Sequence, residues 1–575
     1  MAHAKILVGE SSFARLREEN AYYVDKTAFL ERIINDGNRI SLITRPRRFG
    51  KTLLQTTLQA FLALDPENPD DRSRAWQLFA GLFISDNASF CAEHLGRWPV
   101  LFLKLKDVNG ENFEQAVASL SNSVTELAQE NAWLSTHPHL PAYLRKAVEK
   151  LLELSFLSFD EQLRLLRTSL SQLMQALSMA FKRKVVVLID EYDVPLNLAR
   201  VKGFYEDMLA LLREMFGRAL KDNPLLQKSV LTGCLRLARE SVFSEFNNFG
   251  CHGISDPTLA AAMGFTAKEA QKILSDFCLS AYADKVGRRY DGYRFGNEEI
   301  YCPWDLMSFC RDATTSGEVR FLNYWINTSS NSLIAEFLRF ADAQHLEHLH
   351  NLLKGETVVA GCIQENLSFS EIAQQHSPEH LLSLLFCSGY LTADKKNKDG
   401  EILLRIPNEE VHECFERQIK AYFSSESTDY VSTGRLLANF LCSGQGMNAN
   451  AVLQQFLSRY MSVRDGSSES FYHGLILSLL GTSPHLAIDS NREAGDGYFD
   501  IRLIDTHSSS LVILELKKVF HVTLLSEAAS SALRQIHDRN YAEYFSGGIR
   551  KVYLYGMSFC GKHCLTLQET HTPMD

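Results

Sequence analysis

The chain contains no apolar run approaching the ~20 residues that cross a bilayer, and no apolar stretch follows Met1 in the manner of a secretory leader. Its longest apolar strand-like run, Val185 to Ile189, has the length of a core strand. No membrane partner is therefore expected, and a cytoplasmic location is. Paired cysteine spacing is also missing: the 12 cysteines are scattered, and Cys302, Cys310 and Cys362 form no Cys-x-x-Cys pair. That argues against zinc and for a reducing compartment rather than a disulfide scaffold. There is no fixed-period repeat, no low-complexity linker and no excess of positive charge. A formal net charge of −10 argues against an electrostatic nucleic-acid binder over the whole surface, while leaving room for a local basic groove.

At 575 residues, with 45% hydrophobic and 22% charged residues, the chain reads as globular and too long for one core. Asp25, in Tyr23-Val-Asp25-Lys-Thr27, is placed to cap a helix carrying Phe29, Leu30, Ile33 and Ile34. A short strand follows over 39–44. Residues 65–180 read as mostly helical, interrupted by a strand-like Val100 to Lys104, and a strongly apolar strand then runs from Lys184 to Ile189. Residues 200–340 alternate helices with turn-rich, aromatic segments such as Tyr290-Asp-Gly-Tyr293 and Tyr301-Cys-Pro-Trp304, which read as packing. From 341 to about 460 the pattern is helical, with a hairpin signal at Gly389 to Thr392, Asp399-Gly400 and Ile402 to Ile406.

Two segments carry a phosphate-binding pattern. Thr44-Arg-Pro-Arg-Arg-Phe-Gly-Lys-Thr52 follows a strand and precedes a helix with Leu54, Leu58, Phe61 and Leu62 on one face, the setting a P-loop needs. Backbone amides and a helix N-terminus hold phosphate. Arg47, Arg48, Gly50 and Lys51 are the expected nucleotide contacts, and the Thr52 hydroxyl the expected Mg²⁺ ligand. Arg45 stands where the first glycine of the pattern usually falls, and a basic loop capping a helix would explain Gly50-Lys51-Thr52 alone. The second segment, Val185-Val-Val-Leu-Ile-Asp190-Glu191, is an apolar strand closing on two acids. Asp190 is expected to hold Mg²⁺ and Glu191 to polarise the hydrolytic water. Thr232, at the end of a further strand-like run, is a candidate γ-phosphate sensor or an ordinary strand-end hydroxyl. Arg236 and Arg239 are candidate arginine fingers, in cis or in trans, or solvated arginines.

A third pattern lies in the last hundred residues. In Val512-Ile-Leu-Glu515-Leu-Lys517, period-two alternation puts Glu515 and Lys517 on one face, with Val512, Leu514 and Leu516 on the other. With Asp500 on the preceding segment, this fits a Mg²⁺ site for phosphodiester hydrolysis, because Mg²⁺ is held by one or two carboxylates plus substrate phosphate. Lys517 would orient the attacking water. A surface ion pair beside a core strand is the plainer explanation of Glu-x-Lys. A helix over Glu469 to Leu480 carries Glu469 and His473, and one over Glu527 to Tyr541 carries an Ala528, Ala532, Ile536 stripe beside Gln535.

Helix, strand, Glu-x-Lys strand, helix with Gln, strand resembles the PD-(D/E)XK nuclease superfamily. Tyr23 to Thr27, Thr44 to Thr52, Asp190-Glu-Tyr-Asp193, Leu231-Thr-Gly233 through Arg236, Tyr290 to Phe295 and Tyr301 to Trp304 resemble the AAA-ATPase-like bacterial family. The resemblance spans nearly the whole chain. It implies an α/β fold: a P-loop NTPase domain over 1–340 (helical insertion about 65–180, lid about 240–340), a mainly helical middle at 341–464, and a restriction-endonuclease-like domain over 465–575. It implies ATP and Mg²⁺ as cofactors, with Asp500, Glu515 and Glu469 as metal ligands and Lys517 and Gln535 supporting catalysis. Nucleic acid and further copies of the chain are the implied partners. That family carries Gly-Arg-x-Asp where this chain has Gly497-Tyr498-Phe499-Asp500. Two functions follow: an ATP-hydrolysing, metal-dependent nuclease acting on DNA, or an ATP-switched binding or effector protein with a degenerate nuclease-like module.

Overall fold

Five short segments rich in Val, Ile and Leu build the first sheet: β1 (Ile40–Thr44), β2 (Val100–Lys104), β3 (Val185–Asp190), β4 (Leu226–Gly233) and β5 (Phe249–His252). In the computed structural model, residues 4–237, 248–316, 319–325, 348–349, 351–360, 363, 366–367, 378–396, 401–425, 428–460, 469–481, 483, 486–494, 497–505, 508–539, 549 and 551–571 are described. The strand order is β2-β3-β4-β1-β5, every pairing parallel. β1 and β3 are buried at every position, as continuous apolar strands covered on both faces should be. Because β4 lies between them, the strand leading into the basic loop and the strand ending in acids are one strand apart. Helix α1 (Lys51–Leu62) leaves that loop and buries Leu54, Leu58, Phe61 and Leu62.

Two expected boundaries move. β2 is an edge strand of this sheet, so the stretch 65–180 is not one helical insertion. Helices Ser73–Phe79 and Ala88–His94 precede β2, and α2 (Phe113–Glu130), α3 (Ala142–Leu152) and α4 (Phe159–Phe181) lie between β2 and β3. β5 likewise falls inside the expected lid over 240–340, yet pairs with β1 in register from Ile40–Phe249 to Ile43–His252. A four-residue edge strand reading Phe-Gly-Cys-His carries too little periodicity to announce itself. Thr27, not Asp25, precedes the helix Ala28–Ile34; Asp25 instead accepts from Thr27 N (2.8 Å), Thr27 Oγ1 (2.7 Å) and Phe83 N (2.7 Å). The hairpin is present as Thr392–Lys396 against Ile402–Arg405; its turn at 399–400 lies outside the described residues.

The chain divides into two units, Met1–Ser329 with Ala360–Glu410, and Ser330–Val359 with Val411–Asp575. In the second, β6 (Leu486–Ala494), β7 (Gly497–Asp505), β8 (Ser510–Lys518), β9 (Lys551–Cys560) and β10 (His563–His571) form a sheet in that order, with β8 and β9 parallel and the other pairs antiparallel. β8 is central, and its alternation separates two cores. Val512, Leu514 and Leu516 pack with Leu437, Leu441, Leu453, Tyr472 and Ile476. Leu511 and Ile513 pack with Leu533 and Ile536 of α5 (Leu525–Asp538). Each such aliphatic burial contributes about 1.5–3 kcal/mol, so a one-residue slip of β8 would forfeit both layers. Helices Thr428–Cys442 and Gly446–Tyr460 supply part of the first layer, so this core extends N-terminally of the expected boundary at 465. Along α5 the buried stripe runs through Ala529, Ala532 and Ile536, with Ala528 only half-buried.

Candidate nucleotide and carboxylate sites

The loop after β1 is shaped by backbone that few residues tolerate. Gly50, the residue before α1, has φ +89°, and Arg48 has φ +73°. Arg45 is fully buried, and its guanidinium donates to the carbonyls of Thr44 (2.7 Å), His252 (3.0 Å), Gly253 (2.7 Å) and Leu259 (2.8 Å). The side chain at the usual first-glycine position is thus a brace tying β1 to the segment after β5. Lys51 is buried and donates to the carbonyls of Arg45 (3.2 Å) and Pro46 (3.1 Å), and to Cys234 Sγ (3.3 Å). Burial pulls its amine toward neutrality, but Cys234, Glu191 and Asp193 outweigh that and hold it above its usual range.

Around this loop is a cavity of about 560 Å³ whose walls include Arg47, Arg48, Gly50, Lys51, Thr52 and Glu191. That volume lies within the range of small-molecule sites. Trp304 also lines it, with the Arg48 guanidinium 3.7 Å from its ring centre. Packing was expected of this aromatic segment; Tyr290 and Tyr293 are indeed buried, whereas Trp304 faces the cavity.

The acid strand meets the loop directly. Thr52 Oγ1 donates to Asp190 Oδ2 at 2.6 Å, and Thr232 Oγ1 donates to Asp190 Oδ1 at 2.6 Å. Thr232 is fully buried and also accepts from Gln55 Nε2 at 3.1 Å, so it braces the carboxylate rather than facing the cavity. Glu191 has φ +53°, a sparsely populated conformation for a non-glycine residue. Burial raises its pKa, with Lys51 opposing. Asp193, which the motif contains but which carried no expected role, accepts from the backbone N–H groups of Cys234 and Leu235, both at 3.0 Å. Gly233 makes that approach workable, since a Cβ there would lie 2.7 Å from Asp193 Oδ1. Arg236 is half-buried on a two-residue strand paired with Asn366–Leu367 and is not among the cavity walls; Arg239 lies outside the described residues. Arg45, Gln55 and Cys234 gave no local signal, because their partners are distant in sequence.

In the C-terminal unit the antiparallel pairing of β7 with β8 runs from Asp505–Ser510 to Ile501–Leu514, so Asp500 and Glu515 each stand one residue past its last pair. Asp500 Oδ2 accepts from Leu516 N at 2.8 Å. Glu515 is 2% exposed. Its Oε1 accepts from Gln535 Nε2 of α5 and from Lys517 Nζ at 3.5 Å, while its buried Oε2 has no partner. Burial first, and the charge of Asp500 second, push its pKa up to about 8. Lys517 and Gln535 thus meet at Glu515, and the Asp500 charge acts on the same carboxyl. Glu469 is exposed, and its Oε2 accepts from Lys518 N at 3.0 Å. His473 Nε2 lies 3.0 Å from the Asp500 carbonyl and 3.1 Å from Ser490 Oγ. Among the described residues no three His, Cys, Asp or Glu side chains form a complete metal cage. Two neighbouring carboxylates with one unpartnered buried oxygen fit a cation that takes few protein ligands.

Residues 7–243 match the family described as predicted AAA-ATPase, and residues 467–569 match the PD-(D/E)XK nuclease superfamily. The chain joins an AAA-ATPase-like domain to a PD-(D/E)XK nuclease superfamily domain. An Azotobacter chroococcum mcd 1 protein, described as "Uncharacterized protein in vnfD 5'region", is 23% identical over 573 residues, covering 97% of each chain. A structure of Drosophila ORC bound to DNA covers 72% of this chain and 95% of its own at 13% identity and a TM-score of 0.22; at that score the likeness says nothing of this chain. The AAA-ATPase-like and nuclease-like domains give the protein ATPase-like and nuclease-like roles in general terms. No helix among the described residues is long and apolar enough to cross a membrane.

Proposed function

We propose that the protein binds and hydrolyses ATP at the loop around Gly50, Lys51 and Thr52, and that its C-terminal domain hydrolyses phosphodiester bonds in DNA with Mg²⁺ at Asp500 and Glu515. The nucleotide half rests on the 2.6 Å contact between Thr52 and Asp190, which brings a hydroxyl and a carboxylate to one point at the cavity edge. The nuclease half rests on Asp500 and Glu515 each standing one residue past the last pair of two adjacent strands, where the Asp500 charge acts on a Glu515 whose Oε2 is unpartnered. A divalent cation, when bound, neutralises charge developing on the phosphate. Lys51, Arg47 and Arg48 hold the nucleotide phosphates, and Glu191 takes the position from which a carboxylate orients water. Its raised pKa suits a group that accepts a proton only as water is deprotonated. In the C-terminal domain Lys517 orients the attacking water, and Gln535 fixes the Glu515 carboxylate. Glu469 acts through the Lys518 backbone, which holds the end of β8 beside Lys517. The setting we propose is the bacterial cytoplasm, in keeping with described cysteines that are all free.

The test is plasmid DNA incubated with the purified protein and Mg²⁺, with and without ATP, alongside Asp500→Asn and a phosphate-release measurement. Cleavage that requires Mg²⁺ and disappears in the variant supports the reading. Cleavage that survives Asp500→Asn, or no cleavage with Mg²⁺ or Mn²⁺ in either nucleotide condition, overturns the nuclease half. An absence of phosphate release would favour an ATP-switched binding protein.

A further inference from the structure

The sequence offers Arg236 as a candidate arginine finger or a solvated arginine, yet Arg236 is not in the cavity walls, and a different residue is. Lys106 stands two residues beyond β2. The register sets Lys104 beside Asp190, and the next amide, Leu105 N–H, donates to the Asp190 carbonyl at 3.1 Å. Lys106 therefore emerges one residue past a backbone bond to Asp190, just as Glu191 does on the neighbouring strand. Two cavities flank this point. One, of about 560 Å³, holds Arg47, Lys51, Thr52 and Glu191. The other, of about 570 Å³, holds Asp190, Lys104, Thr56 and Gln59. Among the described residues only Ser11, Thr52 and Lys106 belong to both walls, so Lys106 marks their junction from the end of β2 and not from the basic loop. Its amine meets Asp107 at 3.9 Å, in a pair whose side chains are 58% and 81% exposed. Such an exposed pair holds a flexible lysine weakly, so reorienting toward phosphate costs little.

Resting on the ATP reading above, we propose that Lys106 is a cis-acting cation for the γ-phosphate, contacting the triphosphate and not the diphosphate. Its charge would stabilise the transferred phosphoryl group opposite Lys51, where negative charge spreads over the equatorial oxygens. The basic loop holds the inner phosphates from one side, and Lys106 supplies the outer contact from the other. Discrimination between ATP and ADP is then built into the end of β2.

Full-length protein, Lys106→Met and Lys106→Arg are titrated calorimetrically with ATP and with ADP in Mg²⁺, and steady-state phosphate release is followed. The methionine variant should bind ATP about tenfold more weakly while ADP affinity stays within about twofold, and the arginine variant should recover most of the ATP affinity. Turnover at saturating ATP should fall by about tenfold or more in the methionine variant alone. Equal losses for ATP and ADP, or no loss for either, overturn the inference while leaving the ATP reading standing. An unmutated protein that binds neither nucleotide overturns both, and that outcome identifies the failure as the site itself.

Discussion

Glu515→Gln should stabilise the C-terminal unit, and by an amount that grows with pH. Glu515 is almost wholly buried, and burial together with the Asp500 charge pushes its pKa up to about 8 from an ordinary value of 4.5. The folded unit keeps the proton throughout that window, whereas the unfolded chain releases it near 4.5. Below pH 4.5 both states are protonated and the residue has no linkage effect. As pH rises toward 8 the unfolded chain gains by ionising, so the folded unit loses up to 1.36 kcal/mol per pH unit, about 3 kcal/mol by pH 7. Glutamine carries no titrating proton, yet its amide oxygen still accepts from Gln535. The gap between variant and unmutated protein should therefore be near zero at pH 4.5 and reach about 3 kcal/mol at pH 7. The chain's five tryptophans all precede residue 330, so their fluorescence does not report on this domain. Hydrogen exchange of peptides covering 510–518 and 551–560, in a urea series at pH 5 to 8 with chelator present, reads the opening free energy of β8 and β9. A difference between the two proteins that stays flat across that range would refute the buried, protonated carboxylate.

Lys51→Ala removes the amine that the loop carbonyls gather, and ATP affinity measured by calorimetry should fall about tenfold to a hundredfold. Glu191→Gln should keep nucleotide affinity and lose turnover, since a water-orienting carboxylate acts in the transition state; equal losses in binding and phosphate release would count against that role. Arg45→Met leaves the carbonyls of Thr44, His252, Gly253 and Leu259 without their donor, so urea unfolding should show a loss of about 3 kcal/mol or more, along with weakened ATP binding. Unchanged stability would mean that the guanidinium is not the brace.

What could be read along the chain was local chemistry carried by short spacings. Gly50-Lys51-Thr52 after an apolar strand, the two acids closing Val185 to Ile189, and the alternation around Glu515 each declare an element and the face on which its functional group sits. Those motifs sufficed for the α/β architecture and both families, because turn geometry and period-two burial are properties of a few adjacent residues. Contacts between distant segments were another matter. Sheet order set β4 between β1 and β3, and that placed Thr232 on Asp190 instead of in the cavity. Parallel pairing made Phe249–His252 part of the core, and gave Arg45 carbonyls more than two hundred residues away. Only the pairing of β7 with β8 brought Asp500 to the acid strand, where its Oδ2 meets the Leu516 amide next to Glu515; the spacing within either segment does not dictate that contact. Lys106 gave no signal in its own neighbourhood, because its position depends on the pairing of β2 with β3. Side-chain type and spacing fix what a segment can do, whereas which segments meet is decided by burying all the strands in one order at once.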